Sequence, residues 1–102
     1  MKETNNPMRD HPAIEKLRLL KPRFADYGLK RVRVFGSLAR KEGHAGSDLD
    51  LLVDFYKTPS LFDLGGLKSD LEEKLGIPVD ISMPESLIPE LRDIILREAR
   101  DV

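Results

Sequence analysis

The amino-acid sequence predicts an α/β (α+β) fold, a small mixed β-sheet flanked by helices, because helix-spaced and strand-like apolar patterns alternate along the chain. Its 102 residues correspond to one domain rather than two. No internal repeat or low-complexity run interrupts the alternation. Met1 to Asp10 is polar and reads as a flexible tail, leaving residues 11–102 as a single folded domain.

Taken in order, the first helix is expected from about Pro12 to Tyr27. Pro12 suits a first-turn position, and Ile14, Leu17, Leu20 and Phe24 form an apolar stripe. Pro22 falls inside this span and kinks or splits it, and Gly28 marks its end. Leu29 to Phe35 reads as a strand, with Val32 and Val34 on one face and Arg31 and Arg33 on the other. A short helical turn over Leu38 to Arg40 follows, and Lys41 to Ser47 reads as a loop containing His44. Asp48 to Phe55 is a second apolar strand. Ser60 caps a helix over Leu61 to Leu75, closed by Gly76, with Leu61, Leu64, Leu67, Leu71 and Leu75 as its buried stripe. Gly65-Gly66 inside that helix signals either close packing against another helix or a break. Pro78 to Met83 reads as a third strand. Pro84 to Pro89 is a turn into a last helix ending near Arg100, with Leu91, Ile94 and Ile95 facing the core.

Composition narrows the function classes. The chain is 40% hydrophobic and 34% charged, as in globular domains, and lacks an apolar run long enough to span a bilayer or a signal-peptide pattern. With no cysteine, disulfides, thiolate metal sites and cysteine nucleophiles drop out, and a cytoplasmic setting is expected. The 17 basic and 18 acidic residues give a net charge of -1, which argues against a long nucleic-acid acceptor. So small a domain leaves little room for a separate acceptor-binding module, so a large substrate calls for a partner or a second copy.

The informative segment is Val34-Phe35-Gly36-Ser37, ten intervening residues, then Asp48-Leu49-Asp50-Leu51. Alternation along a strand sends Asp48 and Asp50 to one face and Leu49, Leu51 and Val53 to the other. Adjacent carboxylates repel unless a cation lies between them, and Mg²⁺ is the hard cation that combines one or two carboxylates with substrate phosphates. Asp80, in the third strand, reaches the same site if that strand lies beside the second, and three carboxylates then suffice for two metals. Gly36 permits close approach of backbone to phosphate, Ser37 offers a hydroxyl, and free N–H groups at a helix start attract anions. Arg40 and Lys41 stand ready to neutralise a triphosphate. Alone, Gly-Ser and Asp-x-Asp carry little information; Asp54 and Asp63 read as surface or capping residues, and His11 and His44 as structural and loop residues.

In combination, the segment resembles the DNA polymerase β-like nucleotidyltransferase superfamily, whose pattern is hydrophobic-Gly-Ser, a spacer, then a hydrophobic-flanked Asp-x-Asp. More narrowly it resembles the minimal nucleotidyltransferase (MNT) antitoxins of HEPN/MNT toxin–antitoxin pairs. The likeness runs through Val32 to Arg40, Ser47 to Phe55, Gly66 to Asp80 and Ile95 to Ala99. The resemblance implies a palm-like mixed sheet, ATP as donor and Mg²⁺ as metal. It implies that Asp48, Asp50 and Asp80 are metal ligands and catalytic residues, and that Gly36 and Ser37 contact the triphosphate. It further implies a HEPN-domain ribonuclease toxin as partner, with AMP transferred to a tyrosine of that toxin. One departure stands out: Lys41 occupies the position where the family often has glycine after Gly-Ser-x-x-Arg, so the glycine is expected to have moved to Gly43 or Gly46.

The expected reaction is in-line attack of an acceptor hydroxyl on the α-phosphorus, with Asp80 as a candidate proton acceptor. Two other readings compete: a non-catalytic antitoxin that neutralises its toxin by covering it, and a nucleotidyltransferase acting on a small molecule.

Overall fold

The computed structural model describes residues 10–42 and 47–102. The expected loop positions Gly43, His44 and Gly46, and all of the expected tail except Asp10, lie outside these residues.

Helix α1 spans Pro12–Leu19, with His11 capping it through a ring nitrogen that accepts the Ala13 N–H at 3.0 Å. The single expected helix is split: after Leu20 the chain tightens into a 3₁₀ segment, Lys21–Tyr27, with Pro22 at its start. Proline lacks the N–H an α-helix would need there, so the ladder breaks where the ring sits. Gly28 ends the segment at φ 77°. Strand β1 covers Leu29–Phe35, and the four-residue helix α2, Gly36–Ala39, begins two residues earlier than expected.

Strand β2 is Leu49–Phe55, so Asp48 stands just before it. Helix α3, Leu61–Leu75, is opened by a capping box in which Ser60 and Asp63 exchange side-chain and backbone hydrogen bonds, and is closed by Gly76 at φ 79°. Strand β3 is Val79–Ser82. A short 3₁₀ turn, Pro84–Ser86, leads to α4, Pro89–Glu98, and to the two-residue strand β4, Arg100–Asp101.

The sheet order is β3-β2-β1-β4; β1 runs antiparallel to β2 and β4, while β2 and β3 are parallel. One face meets α1 and α3, where Ile14 and Leu17 join Val32, Val34, Leu49, Leu51, Val53, Leu67, Leu71, Leu75 and Val79 in one core. On the other face Arg33 pairs with Asp54, and at the edge Arg31 pairs with Asp101. Among the described residues no helix is long and apolar enough to cross a membrane.

Three expectations about helix faces are corrected. Leu61 is 88% exposed and Leu64 half-buried, because the first turn of α3 projects past the sheet and only its later turns lie on the core. Neither reading of Gly65-Gly66 holds: the helix continues through both, and a Cβ added at either would meet nothing within 4 Å. In α4, Leu91 and Ile94 are exposed and no residue is fully buried, so the helix lies on the surface with much of its apolar stripe facing solvent. β4 carries no strand pattern in the sequence; it forms because Arg100 and Asp101 can pair with the free edge of β1.

Asp10, the last residue of the expected tail, is tied down. Its carboxylate, 11% exposed, meets the guanidinium groups of Arg18 and Arg100, and Lys41 Nζ at 3.6 Å. The hydrogen bond from Arg100 is the main reason its pKa falls to about 2.

Candidate functional site

Strand pairing assembles the centre of the site. Asp50 lies opposite Phe35 of β1 on one side and opposite Asp80 of β3 on the other. Asp50 and Asp80 therefore share a sheet face at adjacent strand positions, with Ser82 further along it. Asp48 is exposed at the entrance to β2. Pairing of β3 beside β2 is the condition the sequence left open for Asp80; it is met, and the two strands run parallel.

Asp50 is half-buried, and burial is the leading cause that raises its pKa; the charges of Asp80 and then Asp48 push it the same way, against Arg40. Asp80 stands 3.9 Å from Lys68 Nζ, which also donates to the Val79 carbonyl and pairs with Glu72.

Gly36 forms the wall beside Asp50. A Cβ on this residue would lie 2.2 Å from Asp50 Oδ2, and its φ of +80° also disfavours any side chain. Its N–H is not free for an anion, as the sequence suggested: it donates to Glu98 Oε1 at 3.0 Å. Ser37 follows as the second residue of α2, and its carbonyl accepts the Glu42 N–H at 2.9 Å.

Arg40 and Lys41 are brought to the same turn, but both are engaged. Arg40 bonds to Glu42 Oε1 at 2.9 Å and, through its other arm, to Glu98. Lys41 pairs with Asp10 and has φ 63°, in the left-handed region. This conformation explains why glycine suits the position. The lysine adopts this conformation itself. Glu98 is the residue that sequence reasoning missed. The C-terminal stretch containing it matched the family, yet a glutamate at the end of an amphipathic helix gives no local sign of its bond to Gly36.

The donor set suits a hard cation. Two or three carboxylates, one of them half-buried and raised in pKa by burial and by the charges of its neighbours, form a negative site that a divalent ion would neutralise. Among the described residues, however, no three carboxylate or histidine side chains are gathered into a ready-made metal cage. Mg²⁺ does not require one, because it keeps waters and substrate phosphates in its coordination shell. Among the described residues no ligand set is preassembled for the expected second metal.

A nucleotidyltransferase domain family model matches residues 17–102. The chain is 48% identical over 81 residues to an inferred protein adenylyltransferase of Methanocaldococcus jannaschii, covering 79% of this chain and 87% of that protein. A solved structure of an inferred minimal nucleotidyltransferase is 42% identical, covers 95% of this chain and 100% of its own, and superposes with a TM-score of 0.74. A toxin–antitoxin complex with AMP-PNP shares the fold at 22% identity and a TM-score of 0.70, over 85% of this chain and 69% of that one. The chain belongs to the nucleotidyltransferase domain family, in its minimal form, and is a nucleotidyltransferase.

Proposed function

We propose that this enzyme is an Mg²⁺-dependent protein adenylyltransferase that transfers AMP from ATP to a tyrosine hydroxyl of a HEPN toxin and so acts as an antitoxin. The observation that carries the reading is the pairing of Asp50 with Asp80 in adjacent strands, with the Gly36 backbone against the Asp50 carboxylate. The family resemblance supplies the donor and acceptor. Support for the partner comes from a neighbour of the same fold, an MNT antitoxin in complex with a tri-AMPylated HEPN toxin.

In this reading Asp48, Asp50 and Asp80 are the residues that would hold the metal. Bound there, Mg²⁺ would neutralise charge on the carboxylates and phosphates and acidify the acceptor hydroxyl. The bare Gly36 backbone leaves room for the Asp50 carboxylate, and the triphosphate would lie at this turn with Ser37 as its hydroxyl donor. Arg40 and Lys41 provide positive charge at the rim while retaining their carboxylate partners. The acceptor oxygen bonds to the α-phosphorus in line as the bond to the α,β-bridging oxygen breaks. Pyrophosphate leaves with that electron pair, and the hydroxyl proton passes to Asp80. Positioning and electrostatics supply most of the acceleration.

The test is transfer of α-labelled AMP to a HEPN partner by Asp48→Asn and Asp50→Asn. Both variants should lose transfer with a Tm no lower than that of the parent, because each substitution removes charge repulsion from the site. Retained transfer by either variant sinks the assignment of these carboxylates.

The exposed apolar residues Leu91 and Ile94 of α4 favour a second reading, in which the chain neutralises a toxin by binding alone. A stable complex without AMP transfer would support it.

A further inference from the structure

We propose that Glu98 is a positioning residue of the transfer reaction, holding the Gly36-Ser37 turn against Asp50 and aiming Arg40 at the same place. This inference rests on the reading of the site as a nucleotidyltransferase centre. One carboxylate serves two groups of the turn: Oε1 accepts the Gly36 N–H at 3.0 Å and Oε2 takes the Arg40 guanidinium. These two bonds, the Gly36 one first, hold the Glu98 carboxyl below the usual glutamate range, so it is charged at neutral pH.

The sheet accounts for its placement. β4 pairs with β1 so that Arg100 lies opposite Val34. Glu98 ends α4 two residues before Arg100 and Gly36 opens α2 two residues after Val34, so the β1–β4 pairing brings these two helix ends side by side. The short β4 therefore delivers Glu98 to the start of the turn.

Gly36 is thus held from two sides. Glu98 anchors its N–H, and Asp50 lies where its Cβ would be. Because Asp50 fills the space a side chain on Gly36 would take, a shift of the Gly36 backbone towards it displaces that carboxylate, and any shift carries Ser37 with it. The bonds of Glu98 do little to bury α4, which has no fully buried residue. Their effect falls on the turn. Arg40 is bracketed by Glu42 and Glu98, and two carboxylates fix the plane of a guanidinium better than one.

The experiment compares the full chain with Glu98→Ala and Glu98→Gln, measuring AMP transfer to the HEPN partner and amide hydrogen exchange at Gly36. Glu98→Ala is expected to lower kcat roughly 10–100-fold, the range for loss of groups that orient a site. It should also speed exchange at Gly36 while the β1–β2 ladder amides keep their protection. Glu98→Gln retains an oxygen that can accept the Gly36 N–H but loses the acceptor that faces Arg40, so it should restore protection and recover part of kcat. The proposal is overturned by a wild-type rate in Glu98→Ala, or by a slowed rate with Gly36 protection unchanged. It is also overturned if Glu98→Gln restores protection yet stays as slow as Glu98→Ala. No transfer by the parent chain would overturn the proposed reaction and this role together. Faster exchange in Glu98→Ala would then identify the bond to Gly36 as purely structural.

Discussion

Asp10 joins three parts of the chain that are distant in sequence, and Asp10→Asn tests how much this joint contributes. The carboxylate, 11% exposed, engages Arg18 from α1, Arg100 from β4 and Lys41 after α2. Its pKa falls from 3.8 to about 2, chiefly through the Arg100 hydrogen bond, with burial opposing and Arg18 assisting. At ~1.4 kcal/mol per pKa unit, that shift corresponds to about 2 kcal/mol of stability. The three cations are each more than a third exposed or close to it, and solvent screening trims the figure to roughly 1–2 kcal/mol. In a domain of this size such a loss lowers Tm by about 5–15 °C. Because the folded-state pKa is depressed, the contribution is complete above about pH 4 and fades as pH falls towards 2. Thermal unfolding of both proteins at pH 7 and at pH 2 measures this directly. Parent and variant should differ at pH 7 and converge in acid. Equal Tm values at pH 7, or a gap that survives undiminished at pH 2, would refute the argument.

Gly36→Ala should abolish nucleotide transfer and destabilise the fold by about 1–2 kcal/mol or more, since the new Cβ meets Asp50 Oδ2 at 2.2 Å and φ is +80°; wild-type kinetics would contradict the packing described. Gly65→Ala and Gly66→Ala should each raise stability by about 0.5–1 kcal/mol in denaturant unfolding, because both lie in a continuous helix with open space around them. A loss of stability there would reveal a constraint that the fold does not show. Lys41→Gly should unfold within roughly 1 kcal/mol of the parent and Lys41→Val should lose about 1–2 kcal/mol, because φ is 63° and a β-branched residue resists it; equal stability of the two variants would remove the conformational explanation.

Much of the architecture was legible where local chemistry and burial agree. The Ser60 cap, the Gly28 and Gly76 stops and the alternation in β1 and β2 each have a short-range cause, and each appears in the structure. Pro22 was recognised as a conflict, and the structure resolves it as a change of helix type. What failed was long-range. The stripe Leu91, Ile94 and Ile95 has helical spacing, but spacing cannot say whether a partner face exists within the same chain. β4 is two residues long and owes its strand character to the open edge of β1.

The site shows the same division. Asp48, Asp50, Gly36 and Ser37 stood out because their spacing around a loop is distinctive. Asp80 depended on β3 pairing beside β2, which the sequence could only suppose. Glu98 reaches Gly36 across 62 residues of chain through the β1–β4 register, so nothing near it in the sequence announces the contact. Arg40 and Lys41 were legible as cations at the turn, but not as cations already paired with Glu42, Glu98 and Asp10.

AMP transfer is read out in the intact mass of a HEPN partner after incubation with the chain, ATP and Mg²⁺. The account predicts a gain equal to one or more AMP groups, absent with Asp50→Asn and absent when the metal is chelated. An unchanged partner mass, with the two proteins still forming a tight complex, would contradict it and identify the chain as an antitoxin that works by binding.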